Sequence, residues 1–90
     1  PQPNPHRPRH PRYTQLQRKH QQGALIPSEH HEFAHLIPPN ASRAEEDAHY
    51  LRHLCTAARA GYVHSLYALS FIFEFGDYGV PPPIPPSRNA

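Results

Sequence analysis

The chain has 90 residues, of which 13 are proline, and its formal net charge is +2. This length allows one small domain, and no apolar run reaches the roughly 20 residues that a membrane-spanning helix needs. A single cysteine, Cys55, excludes an internal disulfide framework and favours an intracellular, reducing compartment, either the cytoplasm or an organelle matrix.

The prolines are concentrated at the two ends of the chain, and residues 40–80 contain none. Because proline lacks an amide donor and breaks helices and central strands, regular structure is expected in this proline-free window. The sequence predicts an all-α fold, a short helical hairpin with extended proline-rich arms on both sides. The predicted organisation is a basic, disordered arm at residues 1–27, a short helix or linker at 28–40, the hairpin at 41–80 and a proline-rich tail at 81–90.

The N-terminal arm has a strong excess of positive charge. Its first 20 residues contain no acidic side chain and only Tyr13 and Leu16 as sizeable apolar groups, so a solvated, extended segment is expected. Such an arm is either a solvated tail or a polyanion-binding segment that contacts RNA phosphates, as in a small subunit of a mitochondrial-ribosome-like ribonucleoprotein. The candidate polyanion-binding residues are Arg7, Arg9, Arg12, Arg18 and Lys19.

A short helix is predicted next, from Ser28 as the N-cap to Ile37, since two prolines follow. It contains an H-E-x-x-H motif, His31-Glu32-Phe33-Ala34-His35. Histidines four residues apart share one face of a helix and can bind zinc, with the glutamate as general base. His31 and His35 are therefore candidate metal ligands, and a zinc-dependent hydrolase using them with Glu32 is one alternative function.

A working zinc site also needs a third ligand and a substrate-binding edge. Glu45, Glu46 or His49 could supply the ligand, but no strand is predicted to supply the edge. We therefore expect a protein that is not an enzyme, with no catalytic residue and no cofactor.

The first helix of the hairpin is predicted at about residues 44–60. Ser42 and Glu45 have the spacing of a capping box, in which each side chain accepts a backbone N–H at the start of a helix. Gly61 has the expected position of a C-terminal cap. The apolar face at i, i+3, i+4 and i+7 consists of Leu51, Leu54, Cys55 and Ala58.

The second helix is predicted from Val63 to Phe75, and its apolar residues surround it instead of forming one stripe. A helix that is apolar on all sides is usually buried on all sides, whereas a single partner helix covers only one. The other side is therefore expected to bind a partner, since aromatic side chains dominate interface energetics. The predicted partner-binding residues are Tyr62, Leu66, Tyr67, Leu69, Phe71, Phe73 and Phe75.

About residues 44–81 resemble a single copy of a Sel1-like repeat, a TPR-like helix–turn–helix unit. The resemblance lies in the paired Ala57 and Ala58, in Gly61, in the apolar helix with Tyr67 and Leu69, and in the Gly79-Val80-Pro81 corner. It implies a scaffold or adaptor that binds a protein partner or neighbouring repeats of a solenoid. The main functional prediction is a protein–protein interaction module.

The C-terminal tail fits the P-x-x-P-x-R pattern through Pro83, Pro86 and Arg88. In this pattern a polyproline helix docks into an aromatic groove and the arginine pairs with an acidic rim. The tail is either a ligand for an SH3-type domain, through residues 83–88, or a rigid spacer.

Overall fold

In the computed structural model residues 10–83 are described, and residues 1–9 and 84–90 lie outside the described part. The described part is all-α, as predicted, with helices α1 (Pro11–Gln21), α2 (Pro27–Ala34), α3 (Arg43–Arg59) and α4 (Val63–Phe75). Its extended backbone pairs at one isolated antiparallel bridge, between Asp77 and Val80. None of these four helices is long and apolar enough to cross a membrane.

Helix α1 occupies residues that the sequence pattern assigned to a disordered arm, so that prediction was wrong for residues 11–21. His10 caps the helix, because its Nδ1 accepts the backbone N–H of Arg12 at 3.1 Å. Pro11 occupies the first turn, where a missing amide donor costs nothing. Tyr13 and Leu16 are both buried, and they pack with Phe33 of α2.

Helix α2 starts earlier than predicted and also ends earlier. It begins at Pro27, with Ile26 rather than Ser28 as N-cap, and it ends at Ala34 instead of reaching Ile37. The carboxylate of Glu29 accepts the backbone N–H of Ile26 at 3.1 Å and stabilises the first turn.

The α3–α4 hairpin follows the predicted pattern closely. Ser42 Oγ accepts the N–H of Glu45 at 3.1 Å, and the Glu45 carboxylate accepts the N–H of Ser42 at 2.9 Å, which confirms the capping box. Gly61 has a φ of +88° in the turn, a value that glycine adopts without strain. The turn allows α4 to return along α3.

The helices pack in chain order, each against the next, and α2 also meets α4 where His31 contacts Ser65. Two groups of buried side chains result. We call Tyr13, Leu16 and Phe33 the aromatic cluster, which joins α1 to α2. The aliphatic cluster joins α2, α3 and α4 and consists of Ala34, Leu54, Ala58, Leu69 and Ile72.

Candidate interaction surface and histidine cluster

Helix α4 exposes most of its large side chains. Its inner side is covered by α3 and α2, and Ser65, Leu69 and Ile72 are buried there. Leu69 is only 8 % exposed and belongs to the aliphatic cluster, so it does not lie on the exposed surface where the sequence pattern placed it. We call the remaining large apolar side chains the α4 surface, which consists of Val63, Leu66, Tyr67, Phe71, Phe73 and Phe75.

The α4 surface has two ridges. Tyr67, Phe71 and Phe75 are spaced four residues apart and therefore lie along one side of the helix, with the last two rings 4.7 Å apart. Leu66 and Phe73, seven residues apart, form the second ridge. The exposed fractions of Tyr67 and Phe71 are 70 % and 67 %, which are high values for rings on a folded helix. Tyr62, the other predicted partner-binding residue, is half-buried beside His31, with ring centroids 5.2 Å apart.

The chain after α4 turns away from this surface. Gly76 ends the helix with a φ of +79°, and Tyr78 stacks on Tyr50 of α3 with ring centroids 4.1 Å apart. Val80 also packs against the aliphatic cluster. The corner after α4 is thus held on the side of α3, and within residues 10–83 no helix covers the α4 surface.

In the H-E-x-x-H motif the rings of His31 and His35 lie 4.7 Å apart, but Glu32 faces away from them. His31 Nδ1 shares a hydrogen bond with Ser65 Oγ at 2.6 Å, and His35 Nδ1 donates to the His31 carbonyl at 2.8 Å. Glu32 instead pairs with Arg12 of α1, whose Nε and Nη2 donate to its two carboxylate oxygens at 2.7 and 3.0 Å. The hydrogen bonds from Arg12 lower the pKa of the Glu32 carboxyl. A general base in a zinc hydrolase would face a metal-bound water, whereas Glu32 faces the Arg12 guanidinium.

The basic side chains of α1 mostly face acidic partners. Arg12 contacts Glu32 and Glu29, and Lys19 donates to Glu29. The hydrogen bond from Lys19 lowers the pKa of the Glu29 carboxyl. Arg18 is exposed, while the candidate residues Arg7 and Arg9 lie outside the described residues. Two of the candidate polyanion-binding residues therefore already neutralise carboxylates.

Four histidines from three helices meet beside Phe33, and sequence spacing did not reveal this group. The nearest pair is His30 of α2 and His53 of α3, whose Nδ1 atoms lie 3.1 Å apart. His20 of α1 packs edge-on against His53, with ring centroids 4.8 Å apart. His49 packs beside them and donates from Nε2 to the Phe33 carbonyl at 2.7 Å.

Burial favours the neutral form of three of these histidines, His30, His49 and His53. Burial lowers the pKa of His53 to about 3, with further lowering by His49, His20, His30 and Arg52. Burial also lowers the pKa of His30 and of His49. Neutral imidazoles can share hydrogen bonds or bind a metal, whereas imidazolium ions would repel one another at these distances.

The predicted proline motif is mostly outside the described part of the chain. Pro83 is exposed at its edge, and Pro86 and Arg88 lie beyond it. Its SH3-ligand interpretation therefore stays a prediction.

Comparisons with protein-family models, with curated proteins and with solved structures find no match for this chain. The resemblance to a Sel1-like repeat therefore stays a prediction from the residues that carry it.

Proposed function

We propose that this chain is a protein–protein interaction module, built like a Sel1-like or TPR-like helical repeat, that binds an amphipathic helix of a partner protein or of a neighbouring repeat through the α4 surface. The observation that carries this proposal is the exposure of six large apolar side chains on one helix of 13 residues. Large contiguous apolar patches on a protein surface are typical of interaction sites.

The packing order within the chain supports a helical partner. Helix α3 packs against both α2 and α4, and His31 of α2 also contacts Ser65 of α4, so the chain is already a stack of successive helices. In solenoid repeats each unit buries its apolar face against the next unit. A further helix laid on α4 continues this stack and covers both ridges of the α4 surface.

The composition of the α4 surface also supports this role. Aromatic side chains bury the most area per residue and are enriched among residues that dominate binding energy. Among the exposed side chains of α4, Glu74 is the one that carries a formal charge at neutral pH. An apolar helix face is therefore a better match to this surface than a polyanion or a highly charged partner.

The two alternative functions receive less support. Arg12 and Lys19 pair with carboxylates of α2, so they are less suited to bind the phosphates of an RNA. Glu32, the general base of the hydrolase alternative, is paired with Arg12 and is therefore not placed to act on a zinc-bound water held by His31 and His35. A non-catalytic role is therefore part of the proposal.

The proposal is tested with helical peptides selected from a displayed library for binding to the full chain. Phe71→Asp and Phe73→Asp place a charge on each ridge of the α4 surface without touching the core, since both rings are more than half exposed. Each variant is expected to weaken the selected peptides at least tenfold, or about 1.4 kcal/mol.

Thr56→Asp is the matched control, because it adds the same charge at an exposed position of α3. It should leave binding unchanged, and circular dichroism should show equal helicity in all three variants. Peptides that bind both α4 variants as tightly as the wild type would contradict the proposal.

A further inference from the structure

The histidine cluster is separate from the α4 surface of the proposed function. We propose that His20, His30 and His53 form a binding site for a divalent transition metal, with Zn²⁺ as the expected ion. The three side chains come from α1, α2 and α3, and one possible ligand atom from each lies within 4.8 Å of the others. His31 and His35, the pair that the sequence motif indicated, are not part of this group.

The geometry of the cluster is close to that of a three-histidine zinc site. Zinc–nitrogen bonds of roughly 2.0–2.1 Å in a tetrahedral site place the ligand nitrogens about 3.3 Å apart. The two Nδ1 atoms of His30 and His53 are already 3.1 Å apart. His20 is exposed and lies in the last turn of α1, so its side chain is free to close the remaining gap of about 1.5 Å or less.

The surroundings of the cluster favour a bound ion over a chance contact of rings. His53 is only 2 % exposed, which fixes one ligand in place, and the Phe33 ring packs against it with centroids 4.6 Å apart. An apolar wall limits water access and strengthens metal–ligand interactions. The exposed side chain of His20 leaves a route for the ion from solvent, and three imidazoles leave the fourth position of a tetrahedral ion open.

A metal at this position joins α1, which is otherwise held by few contacts, to the well-packed pair of α2 and α3. Helix α1 contributes just Tyr13 and Leu16 to the aromatic cluster. Because the three histidines meet only when α1, α2 and α3 are folded together, the ion binds the folded chain and stabilises it by linkage. The main effect of the ion is therefore to fasten α1 to α2 and α3.

The test uses the full chain and Zn²⁺ alone, by isothermal titration and thermal melting. The wild type is expected to bind one Zn²⁺ and to melt at a higher temperature when it is saturated. His20→Ala removes an exposed ligand and leaves the core intact, and it should weaken zinc binding by more than about tenfold, since loss of a supporting group alone costs that much. The zinc-dependent rise in melting temperature should disappear in the same variant.

Two controls separate this site from other histidines. His64→Ala, an exposed histidine outside the cluster, should bind zinc like the wild type. The double variant His31→Ala/His35→Ala should also keep full affinity. Cobalt(II) absorption should show the intense visible bands of a tetrahedral site in the wild type and not in His20→Ala. Absence of zinc binding, unchanged binding by His20→Ala, or loss of binding in the double variant would each overturn the proposal.

Discussion

Helices α2 and α4 both pack against α3, but their other sides differ in chemistry. The side of α2 that faces α1 carries Glu29 and Glu32, which pair with Arg12 and Lys19. The outer side of α4 carries aromatic rings, and within the described residues no helix lies over them. In α2 the acidic side chains are complemented by the basic side chains of the helix that packs on them, α1. By the same reasoning the exposed aromatic rings of α4 are complementary to an apolar partner.

The largest effect is expected from truncation in the core between α3 and its neighbours. Leu54 is fully buried in the aliphatic cluster, so Leu54→Ala should lower the free energy of unfolding by about 2–5 kcal/mol. Leu16→Ala makes the matched change in the aromatic cluster, where Leu16 is also fully buried.

Chemical denaturation followed by circular dichroism measures the stability of both variants and shows whether the aromatic and aliphatic clusters unfold together. If the four helices unfold as one unit, both variants shift a single transition. If Leu16→Ala instead produces a separate early transition, α1 and α2 are a less stable unit than the α3–α4 pair. Wild-type stability in Leu54→Ala would show that the aliphatic cluster is not the core.

A smaller effect, about 2 kcal/mol between pH 6.5 and 5, is expected from acid, and it should come from the histidine cluster. Burial lowers the pKa of His53 to about 3, so below pH 6.5 the unfolded chain takes up a proton that the folded chain does not. Stability is therefore complete above pH 6.5 and falls as the pH drops toward 3. Each pKa unit of the shift is worth about 1.4 kcal/mol.

The window between pH 6.5 and about 5 isolates the histidines, because ion pairs lower the pKa of Glu29 and Glu32 below 4.5. His49 and His30 add to the effect in the same direction. The variant His53→Gln should show a shallower slope of unfolding free energy against pH in this window. An equal slope in both proteins would show that His53 does not titrate with folding.

The smallest effect is expected from the ion pairs between α1 and α2. Arg12→Ala and Glu32→Gln each break the paired hydrogen bonds at the surface, where ion pairs are worth about 0–1 kcal/mol. Both variants should therefore lose less than about 1 kcal/mol, and less still at high salt. A larger loss in hydrogen-exchange protection confined to α1 would show that these pairs, and not Tyr13 and Leu16, hold the helix.

Local signals in the sequence account for the helices that were predicted well. The capping box of Ser42 and Glu45 and the turn at Gly61 depend on residues three or four positions apart, and the structure has both. Helix α1 was missed because its support is distant. Arg12 and Tyr13 contact Glu32 and Phe33, which lie 20 residues further along the chain. The local sequence of α1, rich in proline and basic residues, by itself favours a disordered arm.

The histidine cluster was missed for the same reason. The motif at His31 and His35 has the local spacing that draws attention, yet the histidines that meet in space are His20, His30 and His53. Their separations in sequence follow no helical period, so only the packing of α1, α2 and α3 brings them together. The apolar character of α4 was visible in the sequence, whereas the assignment of Leu69 to the buried side needed the position of α3.

The most direct test of the central claim is sedimentation velocity of the full chain and of Phe71→Asp, from low to high micromolar concentration. With no other partner in solution, the exposed rings of the α4 surface should bind those of a second copy. The account predicts that the wild type shifts to larger species as its concentration rises and that Phe71→Asp stays monomeric with unchanged helicity. A wild type that remains a monomer over the whole range, indistinguishable from Phe71→Asp, would contradict it.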